Sequence, residues 1–275
     1  MILTVDIGNT QVAFGGFCGE RLEFVVNFPT EKFKTGDQYV SKSVSALKGY
    51  GANKKTLKGA VISSVVPDLN GRVSEAISRL FGVNPLIVSH EIKTDLQLRC
   101  DDPSTVGADI ICACVGVKES FGAPALIVDM GTATKIIYLD GDGAFSGVAI
   151  MPGVMMGLEG LSSGTAQLPK VSLAPPPSAI GKNTADCMRS GAVYGNAAMV
   201  DGMIDRIEGE LKLSLPVYAT GGLASSIVCH CKRQITLDEA LVLKGLYLIN
   251  PLIVNTVERF LIPCLKNMAL KRLEL

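Results

Sequence analysis

A short motif occurs twice in this chain, and its repetition is the feature that most constrains the fold. Residues 5–10 read VDIGNT and residues 128–133 read VDMGTA, with the Asp and the Gly in the same relative positions. Each copy is followed by two apolar runs separated by a glycine-containing turn, at residues 18–20 and 140–143. Such turns between apolar runs are typical of hairpins. The sequence therefore predicts two halves that each open with a strand, a tight turn and a hairpin.

The remainder of the chain alternates between strand-like and helix-like patterns. Strands are predicted at residues 57–66 and 85–88, and a helix is predicted at residues 69–81 between them. A second helix is predicted to present one apolar face made of Met199, Met203, Ile204, Ile207 and Leu211. Alternation of this kind predicts an α/β fold with mixed sheets, with the boundary between its halves at residues 118–125.

Composition and charge restrict the classes of protein that this chain can belong to. Of its 275 residues 48% are hydrophobic, and 26 basic residues balance 26 acidic ones. This balance argues against nucleic acid as the main partner. The N-terminal residues reach Asp6 before an export signal could form, and the longest apolar stretch, residues 147–158, is too short to cross a bilayer. We therefore expect a cytoplasmic protein with no membrane partner, whose eight cysteines are reduced. Two close pairs, Cys112 with Cys114 and Cys229 with Cys231, are expected to be buried and inert, with a metal site as the alternative.

The repeated Asp-x-Gly turns have the chemistry of phosphate-binding loops. Glycine lets the backbone turn tightly, so that N–H groups and the hydroxyls of Thr10, Thr132 and Thr134 can donate to phosphate oxygens. Asp6 or Asp129 would hold a cation, directly or through water, that neutralises phosphate charge. One such turn alone could be an ordinary turn. Two copies with matching hairpins favour a pair of phosphate-binding turns, here called cradles, that contact a triphosphate from both sides.

A third glycine-containing turn follows the apolar strand predicted at residues 216–219. Its paired glycines, Gly221 and Gly222, would let a flat base or a ribose approach the backbone closely. The same Thr-Gly-Gly sequence also occurs where a loop enters a helix, so the turn by itself does not distinguish these alternatives.

Seven motifs occur in the order found in one known family. They are residues 6–10, 63–67, Pro103 with 106–109, 129–134, 151–153, 181–184 and 220–223. On these motifs, which extend over residues 1–249, the chain resembles the type III pantothenate kinases of the acetate kinase, sugar kinase, heat-shock protein and actin superfamily. The resemblance implies two actin/ribonuclease H-like halves, residues 1–120 and 121–275, with an ATP cleft between them. It also implies transfer of the ATP γ-phosphate to pantothenate, giving 4'-phosphopantothenate in the first step of coenzyme A synthesis.

The resemblance and the turn chemistry together assign roles to individual residues. The expected ATP-binding residues are Asp6, Ile7, Gly8, Asn9, Thr10, Gln11, Val12, Ala13, Thr132, Gly221 and Gly222. The expected pantothenate-binding residues are Gly107, Ala108, Asp109, Ile110 and Thr184, with Asp109 as the catalytic base. Asp6 would hold Mg²⁺, and Asp129 would hold a monovalent cation, K⁺ or NH₄⁺. The family implies a homodimer with the acceptor site at the subunit interface.

The role of Asp109 also follows from the chemistry of phosphoryl transfer. An alcohol is a poor nucleophile until a base accepts its proton as the P–O bond forms. The alternative is that Asp109 only caps the helix predicted to begin near Ile110.

Two positions depart from the family pattern, and both lie on the acceptor side. Ile110 stands where the family has an arginine, and Cys100 stands where it usually has a tyrosine. A guanidinium would bind the pantothenate carboxylate through two hydrogen bonds, which isoleucine cannot form. Arg99 or Lys182 could supply the missing cation. The alternatives to a pantothenate kinase are an ATP-binding homologue that is non-catalytic or regulatory, and a kinase for another small alcohol.

A tail at residues 251–275 is predicted to form an added helix.

Overall fold

A computed structural model describes residues 1–31, 45–92 and 94–250 of the chain. The helix predicted at residues 251–275 lies outside the described residues. In the part of the chain that the structure covers, no helix combines the length and apolar character needed to cross a membrane.

The first sheet is built around a central strand that is buried along most of its length. The strands of this sheet are β1 (Ile2–Ile7), β2 (Gln11–Cys18), β3 (Arg21–Pro29), β4 (Gly59–Ser64) and β5 (Leu86–Ile87). Their order is β3-β2-β1-β4-β5, in which β1, β2 and β3 are antiparallel neighbours and β4 and β5 continue parallel to β1. Helix α1 (Pro67–Phe81) connects β4 with β5, as a parallel connection requires.

The second sheet repeats this arrangement later in the chain. Its strands are β6 (Ala125–Met130), β7 (Ala133–Leu139), β8 (Phe145–Pro152), β9 (Val217–Thr220) and β10 (Thr236–Leu237), in the order β10-β9-β6-β7-β8. In both sheets the first strand of the set is central, the hairpin strands lie on one side and two parallel strands lie on the other. The duplicated α/β fold with mixed sheets is therefore confirmed.

Besides a helical segment at residues 45–49, six further helices accompany the two sheets in the described residues. They are α2 (Ala108–Phe121), α3 (Val154–Gly164), α4 (Thr184–Ser190), α5 (Asn196–Leu211), α6 (Ala224–Val228) and α7 (Leu241–Ile249). A 3₁₀ turn, Pro103–Thr105, precedes α2, and a π-helical segment, Gly191–Gly195, joins α4 to α5.

Both predicted hairpins are present, and the differences from the prediction lie at the ends of elements. The helix predicted at residues 69–81 begins two residues earlier, at Pro67, because proline is favoured in the first turn of a helix. The apolar face predicted for α5 packs against the core, since Met203, Ile207 and Leu211 are half-buried there. The fully buried residues of this helix are Ala197, Val200 and Ile204. Of the predicted face, only Ile204 is fully buried.

The described residues form two compact units that interleave along the sequence. The first unit comprises Met1–Thr94, Gly107–Val115 and the residues from Leu243 onward, and the second comprises Asp95–Val106 and Gly116–Val242. The chain thus changes unit within α2 and again within α7, because each of these helices contributes residues to both. The division into continuous halves at residue 120 stays a prediction about the repeat.

Each unit has its own apolar core beneath its sheet. In the first unit Leu3, Val5 and Ile7 of β1 pack with the apolar side of α1. In the second unit the equivalent residues of β6 pack with α3, α5 and α6. The alternate residues of each central strand therefore fix one face of its sheet, and this holds the end of the strand in place.

Only one of the two close cysteine pairs is buried. Cys112 and Cys114 are buried in α2, as expected, but Cys229 is exposed and Cys231 is half-buried. Of the other described cysteines, Cys18 and Cys187 are exposed and Cys100 is half-buried. Cys229 follows the last residue of α6 and lies in the turn that leaves this short helix, where the side chain has no core to enter.

A close contact between two helices in the first unit requires glycine at position 245. A β-carbon placed on Gly245 of α7 would overlap the carbonyl group of Cys112 in α2. Both partners are backbone, so the overlap could be relieved only by moving one helix.

We predict that Gly245→Ala destabilises the protein. Overpacking of this kind typically costs about 1–3 kcal/mol, which outweighs the gain of up to about 1 kcal/mol from replacing a helical glycine by alanine. Gly202→Ala is the matched control, because Gly202 lies within α5 and a β-carbon there meets no atom within 4 Å. Urea unfolding should give a lower free energy of unfolding for Gly245→Ala and an equal or higher one for Gly202→Ala. Equal stability of the two variants would contradict the close helix contact.

Candidate active site

The first glycine turn lies at the end of β1 and is closed by a hydrogen bond between two of its own backbone groups. Asp6 is half-buried near the end of the strand, and the Gly8 N–H donates to the Gln11 carbonyl at 2.9 Å. A β-carbon on Gly8 would lie 3.1 Å from the same oxygen. Because the Gly8 amide is engaged within the turn, the exposed residues Asn9, Thr10 and Gln11 are the ones that can meet an anion.

Thr30 supports this turn, although the sequence analysis did not identify it. Its hydroxyl donates to the Gly8 carbonyl at 2.7 Å, and its N–H donates to the Thr10 carbonyl at 2.9 Å. Strand β3 ends beside the turn because Pro29 pairs with Gln11 in the register of the hairpin. Pairing the two predicted hairpin strands residue by residue would therefore have placed Thr30 beside the turn.

The second glycine turn follows β6 and is covered by two other glycines. Gly131 N–H donates to the Ala133 carbonyl at 3.1 Å. A β-carbon on Gly153 would overlap the Thr132 carbonyl, and one on Gly221 would lie 2.6 Å from the Met130 carbonyl. Gly221 also has a φ of +98°, which few residues other than glycine adopt. Packing against β6 accounts for Gly221, and the contact of Gly221 and Gly222 with a base stays a prediction.

Each carboxylate has a hydroxyl residue beside it on the neighbouring parallel strand. Asp6 pairs with Ser63, and Asp129 pairs with Thr220 in the same relative position of the second sheet. Ser63 Oγ and Thr134 Oγ1 are fully buried; Ser63 lies within hydrogen-bonding reach of the Cys112 thiol, whereas within the described residues Thr134 Oγ1 has no hydrogen-bond partner. Unpaired buried hydroxyls are rare in proteins and are found at functional sites. The duplication therefore includes polar groups around the ends of both central strands.

Asp109 lies in the first turn of α2, close to a buried thiol. Burial raises the pKa of Cys112 well above its usual range, and the negative charges of Asp6 and Asp109 raise it further. The two carboxylates therefore act on the same buried group, which lies one helical turn from Asp109. The first unit thus brings Asp6 and Asp109, the predicted cation ligand and the predicted base, into one neighbourhood.

The alternative role of Asp109 as a helix cap is satisfied only in part. The helix begins at Ala108, so Asp109 is not its N-cap. Its Oδ1 nevertheless accepts a hydrogen bond from the Ile110 N–H at 2.9 Å. A β-carbon on Gly107 would lie 2.5 Å from this oxygen, so glycine at position 107 gives the carboxylate its room. The assignment of Asp109 as the base stays a prediction.

The remaining residues predicted to bind pantothenate are divided between the units. Gly107, Ala108 and Ile110 belong to the first unit with Asp109, whereas Thr184 belongs to the second. Thr184 is exposed in the first turn of α4, whose N-cap is Asn183. Ile110 is buried, with 7% of its surface exposed. Its side chain is therefore largely withdrawn from solvent.

Arg99 is engaged by two carboxylates of the β7–β8 turn. Its guanidinium lies 2.6 Å from Asp140 and 2.8 Å from Asp142. The backbone beside it joins the edge of the sheet, since Arg99 N–H donates to the Phe145 carbonyl and Phe145 N–H donates to the Gln97 carbonyl. The structure therefore gives Arg99 the role of fastening this segment to β8. It does not favour Arg99 as a cation for the acceptor.

Asp140 is the centre of this network. It accepts hydrogen bonds from the Ser146 hydroxyl and from the N–H groups of Asp142 and Ala144. Burial by itself would raise the pKa of Asp140. The hydrogen bonds and the positive charge of Arg99 outweigh it, so that the pKa is lowered.

The Asp129 carboxylate is paired with a lysine that the sequence analysis did not assign to the site. Lys135 Nζ lies 2.7 Å from Asp129 Oδ2, and the two side chains are only 13% and 11% exposed. The residues face each other directly as antiparallel partners on β6 and β7. A two-strand register drawn from the turn at residues 131–133 would have placed them opposite each other, and this is the signal that could have found the pair.

The donor sets differ in how well they suit the two predicted cations. Mg²⁺ is commonly held by one or two carboxylates together with substrate phosphates and water, and Asp6 beside an exposed turn suits this. A monovalent cation at Asp129 would instead lie beside the Lys135 ammonium. Two like charges 4 Å apart repel by about 4 kcal/mol at an effective dielectric constant of 20. Asp129 therefore does not suit a monovalent cation, and within the described residues no cluster of three or more His, Cys, Asp or Glu could hold a metal.

The fold and these two turns define a class of protein. Duplicated sheets of this order, each with a carboxylate and a glycine turn after its central strand, are those of the actin-like fold. The chain is similar in fold to component A of (R)-2-hydroxyglutaryl-CoA dehydratase from Acidaminococcus fermentans (TM-score 0.53, 14% identity, 89% of this chain and 94% of that chain). It is also similar to the activator of 2-hydroxyisocaproyl-CoA dehydratase from Clostridium difficile, solved with bound ADPNP (TM-score 0.50, 14% identity, 89% and 91%).

Sequence similarity identifies the family within this class. The family model of the type III pantothenate kinases matches residues 2–206. The type III pantothenate kinases of Rubrobacter xylanophilus and Dictyoglomus turgidum are each 39% identical to the chain, over 90% of its length and 96% and 97% of theirs. That of Geotalea uraniireducens is 38% identical over 90% of this chain and 96% of its own length. The chain belongs to the type III pantothenate kinase family.

We predict that Asp140→Ala lowers the free energy of unfolding at pH 7 by about 1–3 kcal/mol, because it leaves several hydrogen-bond donors without their acceptor. Asp142→Ala is the control: it removes a carboxylate that is 73% exposed, and we expect a change within about 0.5 kcal/mol.

The effect of Asp140→Ala should also depend on pH. Because the pKa of Asp140 is lowered in the folded state, its contribution to the free energy of unfolding is present above the unfolded pKa of about 4 and is lost as the pH falls through the folded value. The difference between wild type and Asp140→Ala, measured by urea unfolding, should therefore narrow in acid. A difference that stays constant below pH 4 would contradict this account.

Proposed function

We propose that this protein transfers the γ-phosphoryl group of ATP to the primary hydroxyl of pantothenate, forming 4'-phosphopantothenate in the first step of coenzyme A synthesis. The observation that carries the proposal is the similarity to type III pantothenate kinases over nine-tenths of the chain. The duplicated Asp-Gly turns support it, because phosphoryl transfer depends mainly on aligning the substrates and neutralising charge.

The nucleotide side uses the two glycine turns. Asp6 holds Mg²⁺ beside the ATP phosphates, directly or through water. Of the residues that follow it up to Ala13, the exposed Asn9, Thr10 and Gln11 contact the phosphates, while Ile7 and Val12 are buried and hold the turn in place. Thr132 contacts ATP from the second turn, and Gly221 with Gly222 lies beside it. Support for this arrangement comes from the exposed position of residues 9–11 and from the backbone packing of Gly153 and Gly221 around the second turn.

Asp109 acts as the base that accepts the proton of the pantothenate hydroxyl. Gly107 supports this role, because it leaves space for the carboxylate, and Gly107, Ala108, Ile110 and Thr184 line the acceptor site. Ile110 contributes apolar surface in place of the arginine of the family pattern. Lys182 is exposed beside Thr184 and is the remaining candidate to bind the pantothenate carboxylate. No observation favours the regulatory alternative.

Subunit arrangement and location follow the family. The protein acts as a cytoplasmic homodimer, with the acceptor site at the subunit interface. Large apolar side chains that are exposed on β8 and α3 support self-association, because a partner subunit would remove their apolar surface from water. Ile150 is 65% exposed, and Met156 and Leu161 are each nearly half exposed.

We predict that pantothenate stimulates ADP formation from ATP by the purified protein, and that EDTA abolishes this activity because Mg²⁺ neutralises phosphate charge. The measurement is coupled ADP release with and without millimolar pantothenate. ATP binding without any stimulation by pantothenate would favour a different alcohol or the non-catalytic homologue.

We predict that Asp109→Asn lowers the turnover number by about 10²–10⁴-fold, the usual contribution of a general base, and leaves ATP affinity within about threefold. Turnover is measured by ADP release and ATP affinity by calorimetric titration. Asp101→Asn, an exposed carboxylate eight residues earlier, should retain wild-type turnover. If Asp109→Asn turned over as fast as this control, Asp109 would not be the base.

A further inference from the structure

We infer that the Lys135 ammonium takes the place of the monovalent cation beside Asp129, so that this protein binds ATP without K⁺ or NH₄⁺. The inference rests on the proposed function, which makes the turn after β6 part of the ATP site. It changes one component of that site, namely the source of the positive charge beside Asp129.

The geometry gives Lys135 a fixed position. Its Nζ lies 2.7 Å from Asp129 Oδ2, and both side chains are largely buried. Lysine is among the residues least often buried unless it is paired. It is also disfavoured in strands, yet here it lies within β7, directly opposite Asp129. Because neither burial nor strand formation favours lysine at position 135, its presence indicates that the positive charge has a function beside Asp129.

The first half of the chain provides an internal comparison. Asp6 corresponds to Asp129, and its antiparallel partner on β2 is Ala13. The hairpin therefore forms equally well without a lysine at this position. The two cradles differ in the residue directly opposite the carboxylate across the hairpin, which is an alanine in the first and a lysine in the second.

The tethered ammonium does what an ion from solution would do. It neutralises Asp129, and it leaves at the end of β6 a cation that the strand pairing holds in place. A tethered charge needs no free ion to be captured, so the affinity for ATP should not depend on which monovalent cation the solution contains. A second cation would have to approach the ammonium against its repulsion.

The test is calorimetric titration of Mg²⁺ and ADPNP, a non-hydrolysable ATP analogue, into the full chain. Potassium chloride, ammonium chloride and tetramethylammonium chloride are compared at equal ionic strength. We expect the affinity of the wild type to vary less than about twofold among the three salts. We expect Lys135→Met to bind about tenfold or more weakly in tetramethylammonium, which corresponds to about 1.4 kcal/mol. Potassium or ammonium should restore most of this loss.

Two variants keep the test decisive. Lys170→Met removes an exposed lysine by the same substitution and should behave as the wild type in every salt. Lys135→Arg keeps the positive charge and should remain insensitive to the salt. Circular dichroism establishes that each variant is folded, and if Lys135→Met does not fold, the wild type and Lys135→Arg still decide the question.

Three results would overturn the inference. Wild-type affinity that potassium raises tenfold or more over tetramethylammonium would show that a mobile cation is used. Equal affinity of folded Lys135→Met and wild type in all salts would make the ion pair purely structural. A wild type that binds ADPNP in none of the salts would overturn the proposed function together with the inference. Salt-insensitive binding without phosphorylation of pantothenate would overturn only the acceptor assignment.

Discussion

The end of a buried central strand is the constraint on which the candidate site depends. Strands β1 and β6 are held by hydrogen bonds on both edges and by apolar cores on their alternate residues. Neither strand can slide by one residue, because every side chain would then change faces. A carboxylate at the end of such a strand therefore has a fixed position, and a glycine turn directly after it brings backbone and hydroxyl groups to the same place.

The two halves share this framework and differ in the charges that they carry on it. Asp6 with Ser63 and Asp129 with Thr220 occupy equivalent positions in the two sheets. Lys135 has no charged equivalent, since Ala13 stands in its place in the first half. The duplicated backbone thus allows one carboxylate to attract a divalent ion while the other is neutralised by a side chain. The difference in charge between the two cradles therefore lies in one cross-strand position.

Several residues that surround the site were outside the reach of the sequence analysis. Periodicity and turn residues indicated both hairpins because these signals are local. Thr30 and Lys135 depend on register across a hairpin, and neither belongs to the motif that it supports. Arg99 was a candidate for the acceptor carboxylate, but its partners lie some 40 residues away, in a turn that the sequence does not connect with it.

The sequence by itself determined the duplicated fold, the two Asp-Gly turns and the family, because these depend on local patterns and on motifs in order. Only the tertiary structure decided which charges meet. It paired Asp129 with Lys135, directed Arg99 to Asp140, and brought Asp6 and Asp109 near enough to Cys112 for their charges to raise the pKa of its thiol. It also showed that the compact units interleave through α2 and α7. The physical reason is that electrostatic interactions depend on distance in space, and strand pairing and helix packing set that distance between residues far apart in the chain.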